Sequence, residues 1–170
     1  MKSCKWRIAF IALSILCIVS IIINVIYMYN FETTRIRYVD SVKNYLIRLY
    51  NEVSRAADDD FNEMETLRDV RLLQSRIAME CLSVSLTNLS GHYNWQSGGT
   101  GFPIFDLSVI LELLLRYEEN PYADLRLIAE KLLRLYENIE PNMKTQEIFD
   151  FINEINSEIR NDFKVLLGYI

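Results

Sequence analysis

The chain is poor in the residues that most often carry chemistry, with one histidine and three cysteines among its 170 residues. No two cysteines form a Cys-x-x-Cys motif, which argues against thiol redox chemistry. His92 is the only imidazole, and neither a Gly-x-Ser-x-Gly turn nor a Glu-x-x-His pair accompanies it. These absences predict a protein that is not an enzyme and that holds no metal or other cofactor.

Acidic residues outnumber basic ones, which argues against a nucleic-acid-binding protein. The whole chain carries a net charge of −5, and the residues before position 31 carry +3 from Lys2, Lys5 and Arg7. Residues 31–170 therefore carry −8. Phosphate backbones should repel such a segment, so we expect no binding to nucleic acid.

The chain does contain one long apolar run, residues 8–29, without a charged side chain. As a helix this run would be about 33 Å long, enough to cross a hydrocarbon core of roughly 30 Å. Trp6, Tyr27 and Tyr29 stand at its two ends, where aromatic rings favour the headgroup layer. A cleaved signal peptide would have a shorter apolar region and a small-residue cleavage site. We expect a single-pass transmembrane helix over residues 8–29, after a short basic flank at residues 1–7.

The basic flank also predicts an orientation in the cell membrane. Lys2, Lys5 and Arg7 crowd a short segment, and short basic flanks stay in the cytoplasm. The N-terminus should then be cytoplasmic and the C-terminal domain extracytoplasmic. Only Cys81 lies beyond the span, so that domain has no internal disulfide, a pattern typical of a bacterial cell-surface protein.

The rest of the chain has helical periodicity. Residues 30–57 should form a juxtamembrane helix, because apolar residues recur there in steps of three and four. This seam consists of Val39, Val42, Leu46, Leu49, Val53 and Ala56. It could pack on later helices of the same chain, which we favour, or on a second copy, so a homodimer remains an alternative.

Residues 58–170 should complete an all-α fold, an antiparallel bundle of four to five helices that packs with residues 30–57. Apolar residues of the second helix include Val70, Leu73, Ile77, Cys81 and Val84, while another row lines one face: Ala78, Leu82, Leu86 and Leu89. Residues 82–87 also alternate as a strand would, but no second strand is available to pair with them. Asn120 and Pro121 predict a helix start, with Asn120 as the capping residue.

The helix that begins near Asp106 is apolar on almost every side. Such a helix is either central in a bundle or offers a face to a partner. Its candidate partner-binding residues are Leu111, Leu114 and Leu115.

Residues 91–102 form the one substantial loop, since four of the five glycines lie within residues 90–103. Two interpretations of this loop are open. It is either a flexible connector whose aromatic residues pin it to the bundle, which we favour, or a ligand site in which aromatic rings stack on a ligand and polar groups donate or accept hydrogen bonds. The candidate ligand-binding residues are His92, Tyr93, Asn94, Trp95 and Gln96.

Our main hypothesis is a membrane-anchored assembly, sensory or regulatory component that binds a protein partner. The alternative is an extracytoplasmic ligand-sensing domain that uses this loop.

Overall fold

The computed structural model describes residues 2–58, 65–92, 104–118 and 120–168, and over these ranges the chain is helical without strands. The all-α prediction is confirmed, and residues 82–87 lie inside a helix. In chain order the helices are α1 (Lys2–Asp58), α2 (Glu65–His92), α3 (Ile104–Tyr117), α4 (Tyr122–Asn138), α5 (Thr145–Asp162) and the short α6 (Lys164–Leu167). The chain divides into two compact units, Met1–Arg37 and Tyr38–Ile170.

In the unit Met1–Arg37, residues 10–29 are helical, and their large apolar side chains are exposed. Its most apolar 18-residue window has a mean hydropathy of 2.7 and no buried residue. Polar side chains there bond within the helix: Ser14 Oγ donates to the Phe10 carbonyl and Asn24 Nδ2 to the Ser20 carbonyl, both at 2.9 Å. Among the described residues this is the one helix long and apolar enough to cross a membrane.

The unit Tyr38–Ile170 has an apolar core to which α1 to α5 all contribute. The predicted seam of α1 lies in this core, with every member at most 1% exposed: Val39, Val42, Leu46, Leu49, Val53 and Ala56. Periodicity explains this burial, because steps of three and four place these six side chains along one side of a helix.

α2 has apolar residues on two opposite sides, and only one side is buried. The core side comprises Leu72, Ala78, Met79, Leu82, Leu86 and Leu89. At about 100° per residue, Val70, Leu73, Ile77 and Val84 lie on the far side, and all four are exposed. Of the two rows noted in the sequence, the fold therefore buries the one that contains Leu82 and Leu86.

The start of α4 differs by one residue from the prediction. Pro121, rather than Asn120, is the residue that precedes the helix, and no side chain caps it. The Leu125 N–H donates to the Pro121 carbonyl at 2.9 Å, so the first helical bond forms without a capping side chain. At the start of α5, Glu147 accepts a hydrogen bond of 3.0 Å from the Lys144 N–H.

Candidate interaction surface

The predicted ligand loop lies mostly outside the described residues. His92 is the last residue of α2, and residues 93–96 are not among those described. The assignment of His92, Tyr93, Asn94, Trp95 and Gln96 as ligand-binding residues stays a prediction.

The three candidate partner-binding leucines of α3 are core residues. Leu111 and Leu114 are fully buried, and Leu115 is 1% exposed. In the folded unit these side chains present no surface. Partner binding through them stays a prediction, and it would require α3 to become exposed.

The far side of α2 is an exposed apolar surface, which we call the α2 stripe and define as Val70, Leu73, Ile77, Cys81 and Val84. Val70, Leu73, Ile77 and Val84 are 46%, 59%, 52% and 60% exposed, respectively. Cys81 is half-buried. Single exposed apolar residues are ordinary, but a row of them along one helix face is typical of an interaction site. The stripe is therefore the strongest candidate surface in the described part of the chain.

A shallow groove of about 230 Å³ runs beside the stripe, between α1 and α2. Ile77 and Cys81 line it from the stripe, and Tyr45, Arg48 and Glu52 line it from α1. Pockets for small ligands usually measure roughly 300–1,000 Å³, so the groove is small for that purpose. It extends the stripe as a contact surface.

The described part of the core contains a second, smaller space. An apolar cavity of about 30 Å³ lies among α1 to α5, and Asn156 is the one polar residue in its lining. This space is far smaller than a drug-sized pocket. Within the described ranges, no group of three or more His, Cys, Asp or Glu residues is placed to hold a metal ion.

Charged side chains connect the helices at the surface of the unit, and the densest group joins α4 to α5. Lys131 Nζ lies 3.0 Å from Glu158 Oε2 and 2.9 Å from Asp162 Oδ2, while Arg134 Nη2 lies 2.5 Å from Glu158 Oε1. The hydrogen bond from Arg134, followed by that from Lys131, lowers the pKa of Glu158. Burial alone would lower the pKa of Lys131, but its bonds to Asp162 and Glu158 outweigh burial and raise it. These contacts join α4 to α5.

Comparison of the chain with protein-family models, curated proteins and solved structures finds no match. The candidate surface therefore depends on its geometry and chemistry alone. Every residue of the α2 stripe belongs to the apolar pattern of the second helix, but that pattern alone did not identify the stripe as a surface. The available signal was the second apolar row on the same helix, because one helix in a bundle seldom buries two opposite sides.

Proposed function

We propose that this protein is a single-pass membrane protein whose helical bundle binds another protein, as an assembly, sensory or regulatory component without catalytic activity of its own. The observation that carries the proposal is the α2 stripe, four exposed large apolar residues opposite the buried face of the same helix. An exposed apolar row of this kind is stabilised when a partner covers it.

Contacts between helices support an antiparallel bundle. Arg68 Nη1 of α2 donates to the Glu118 carbonyl after α3 at 3.0 Å, whereas Arg76 reaches Glu112 at 2.7 Å. Partners farther along α2 thus lie earlier in α3, as expected for antiparallel neighbours.

The same relation holds between α1 and α4. Asp58 at the end of α1 pairs with Arg126 near the start of α4, at 3.5 Å. Lys43, much earlier in α1, donates to the Ile139 carbonyl after α4 at 2.6 Å and lies 4.8 Å from the centre of the Tyr136 ring. Both pairs support the antiparallel arrangement.

Membrane anchoring is supported by the composition and exposure of α1 before Arg37. Water disfavours a helix that is apolar on all sides, and the polar Ser14 and Asn24 already bond within the helix, as a hydrocarbon environment requires. The basic flank at residues 1–7 favours a cytoplasmic N-terminus and an extracytoplasmic bundle. A reporter fused after Ile170 should then be active only if it functions outside the cytoplasm.

Site-specific photocrosslinking in native membranes tests the function. A photoreactive residue at Leu73 should yield a covalent adduct with a protein partner, while the same residue at the exposed Glu130 of α4 should not. Equal adduct formation at both positions, or none at Leu73, would refute the proposal that this surface binds a partner. The ligand-sensing alternative stays a prediction, because its loop lies outside the described residues.

A further inference from the structure

Asn24 has an incompletely bonded amide within the apolar run at residues 8–29. It lies between five and six residues after the midpoint of that run, or roughly 8 Å along the helix, so a hydrocarbon core of about 30 Å would enclose it. An asparagine side chain has two N–H donors and an oxygen acceptor, and one N–H already donates to the Ser20 carbonyl at 2.9 Å. Among the described residues, the second N–H and the amide oxygen have no partner. Lipid tails offer no hydrogen bonds, so within a membrane both groups are available to bond a partner helix.

Two small side chains share the helix face of Asn24. At about 100° per residue, Cys17, Ser20 and Asn24 lie within a sector of roughly 60°, and all three are exposed. Their steps of three and four are the spacing expected where two parallel helices pack along one seam. Ser14 lies roughly 80° from Asn24, and its hydroxyl donates to the Phe10 carbonyl. We call Cys17, Ser20 and Asn24 the span seam, because small neighbours let a second helix approach Asn24 closely.

Building on the membrane anchoring in the proposed function, we infer that the span seam binds the span of a second copy of this chain in a parallel two-fold contact. A side-chain amide complements itself, since it has both a donor and an acceptor. Asn24 of one copy would therefore donate its second N–H to the amide oxygen of Asn24 of the other. Ser20 and Cys17 would pack against their own counterparts, one and two turns away.

Depth in the membrane selects a second copy as the occupant. Two copies have the same basic flank and therefore insert in the same direction, which places both Asn24 side chains at one depth. A two-fold axis along the membrane normal then brings each residue of the span seam to its own counterpart. A different spanning protein would need a polar group at that same depth and on its packed face. The contact also agrees with a single-pass anchor, because neither copy is inverted.

Sedimentation of the full chain in mild detergent provides the first test. The parent should be a dimer, and Asn24→Leu should weaken it roughly fivefold to thirtyfold, as expected for the loss of a hydrogen bond between spanning helices. Asn24→Gln keeps the amide and should retain most of the affinity. Ser14→Leu is the matched control, because it also replaces a polar residue of the run by leucine but lies off the span seam, and it should leave the dimer unchanged. A monomeric parent, or equal weakening by Asn24→Leu and Ser14→Leu, would overturn the inference.

Disulfide formation in native membranes tests which face is packed. With Cys4→Ala and Cys81→Ala, Cys17 is the one remaining thiol, and oxidation should join two copies through it, because the axis brings counterparts within the roughly 7 Å between Cα atoms that a disulfide needs. The control adds Cys17→Ala and Val19→Cys, which moves the thiol roughly 160° around the helix at similar depth. Asn24→Leu should lower the yield at Cys17. Equal yields at the two positions, or an adduct of Cys17 with a different protein, would refute the contact.

Extraction of membranes with alkaline carbonate separates this inference from the proposed function. If the parent stays in the membrane as a monomer and photocrosslinks at Leu73 to another protein, the seam contact fails while the proposed function stands. If carbonate releases the parent, the anchor and the seam contact fail together. A dimer in membranes that yields no adduct at Leu73 would support the seam contact and refute the partner surface on α2.

Discussion

Two parts of α1 use similar aliphatic residues in opposite ways. Leu16 is 66% exposed in the unit Met1–Arg37, whereas Leu46 is 1% exposed in the unit Tyr38–Ile170. The two parts differ in how apolar residues are distributed around the helix rather than in how hydrophobic these residues are. Around Leu16 the apolar residues cover every side of the helix, while around Leu46 they recur every three or four positions between polar ones. Uniform hydrophobicity suits lipid, and periodic hydrophobicity suits a protein core.

The largest effect should come from placing a charge in the periodic part. Leu46→Asp would leave an unpaired carboxylate in the core, and we expect it to cost roughly 4 kcal/mol or more of the free energy of unfolding. Denaturant unfolding of the full chain in detergent, followed by circular dichroism, measures this loss. Unchanged stability would mean that the seam of α1 is not a core element.

The same substitution in the uniform part should affect a different quantity. Leu16→Asp should leave the unfolding of the unit Tyr38–Ile170 unchanged but disfavour membrane insertion by about 3 kcal/mol, the typical cost of an aspartate at the centre of a spanning helix. Extraction of membranes with alkaline carbonate measures retention. Leu46→Asp is the matched control there, since its span is intact. Full retention of Leu16→Asp would argue against a spanning helix.

A smaller pair of changes compares α3 with the α2 stripe. Leu111→Ala should destabilise the fold by about 2–5 kcal/mol, as expected for a buried leucine. Leu73→Ala should change stability by no more than about 0.5 kcal/mol, because its side chain is exposed. Thermal unfolding compares the two variants, and photocrosslinking with the photoreactive residue at Ile77 instead of Leu73 reports on binding. If Leu111→Ala lost binding but kept its stability, Leu111 would be an interface residue rather than a core residue.

The sequence was sufficient to predict the all-helical class, because apolar spacing determines helix faces locally. It was also sufficient to identify Val39 through Ala56 as one seam. It could not decide which row of α2 enters the core, since Val70, Leu73, Ile77 and Val84 have the same periodicity as the buried row. That choice depends on the helices that pack against α2, a long-range property. The spacing also could not show that α4 begins one residue later than predicted, after Pro121 rather than after Asn120. The exact end of a helix depends on its tertiary context.

The smallest expected effect is a dependence of stability on pH. The apolar run at residues 8–29 has no charged side chain, whereas ion pairs join α4 to α5. Hydrogen bonds from Arg134 and Lys131 lower the pKa of Glu158 below the ordinary glutamate value of 4.5. A lowered pKa in the folded state means that this contact contributes stability above pH 4.5 and loses it as the pH falls through the folded-state value.

Bonds to Asp162 and Glu158 raise the pKa of Lys131 above 10.5, so its contribution is present below that pH and is lost as the pH rises through the folded-state value. Glu158→Gln should therefore lower stability slightly at neutral pH and reduce the further loss in acid, whereas Glu130→Gln, on the exposed side of α4, should do neither. Denaturant midpoints between pH 3 and pH 7 would measure the difference. If acid lowered the free energy of unfolding equally in the parent and in Glu158→Gln, these ion pairs would not stabilise the contact between α4 and α5.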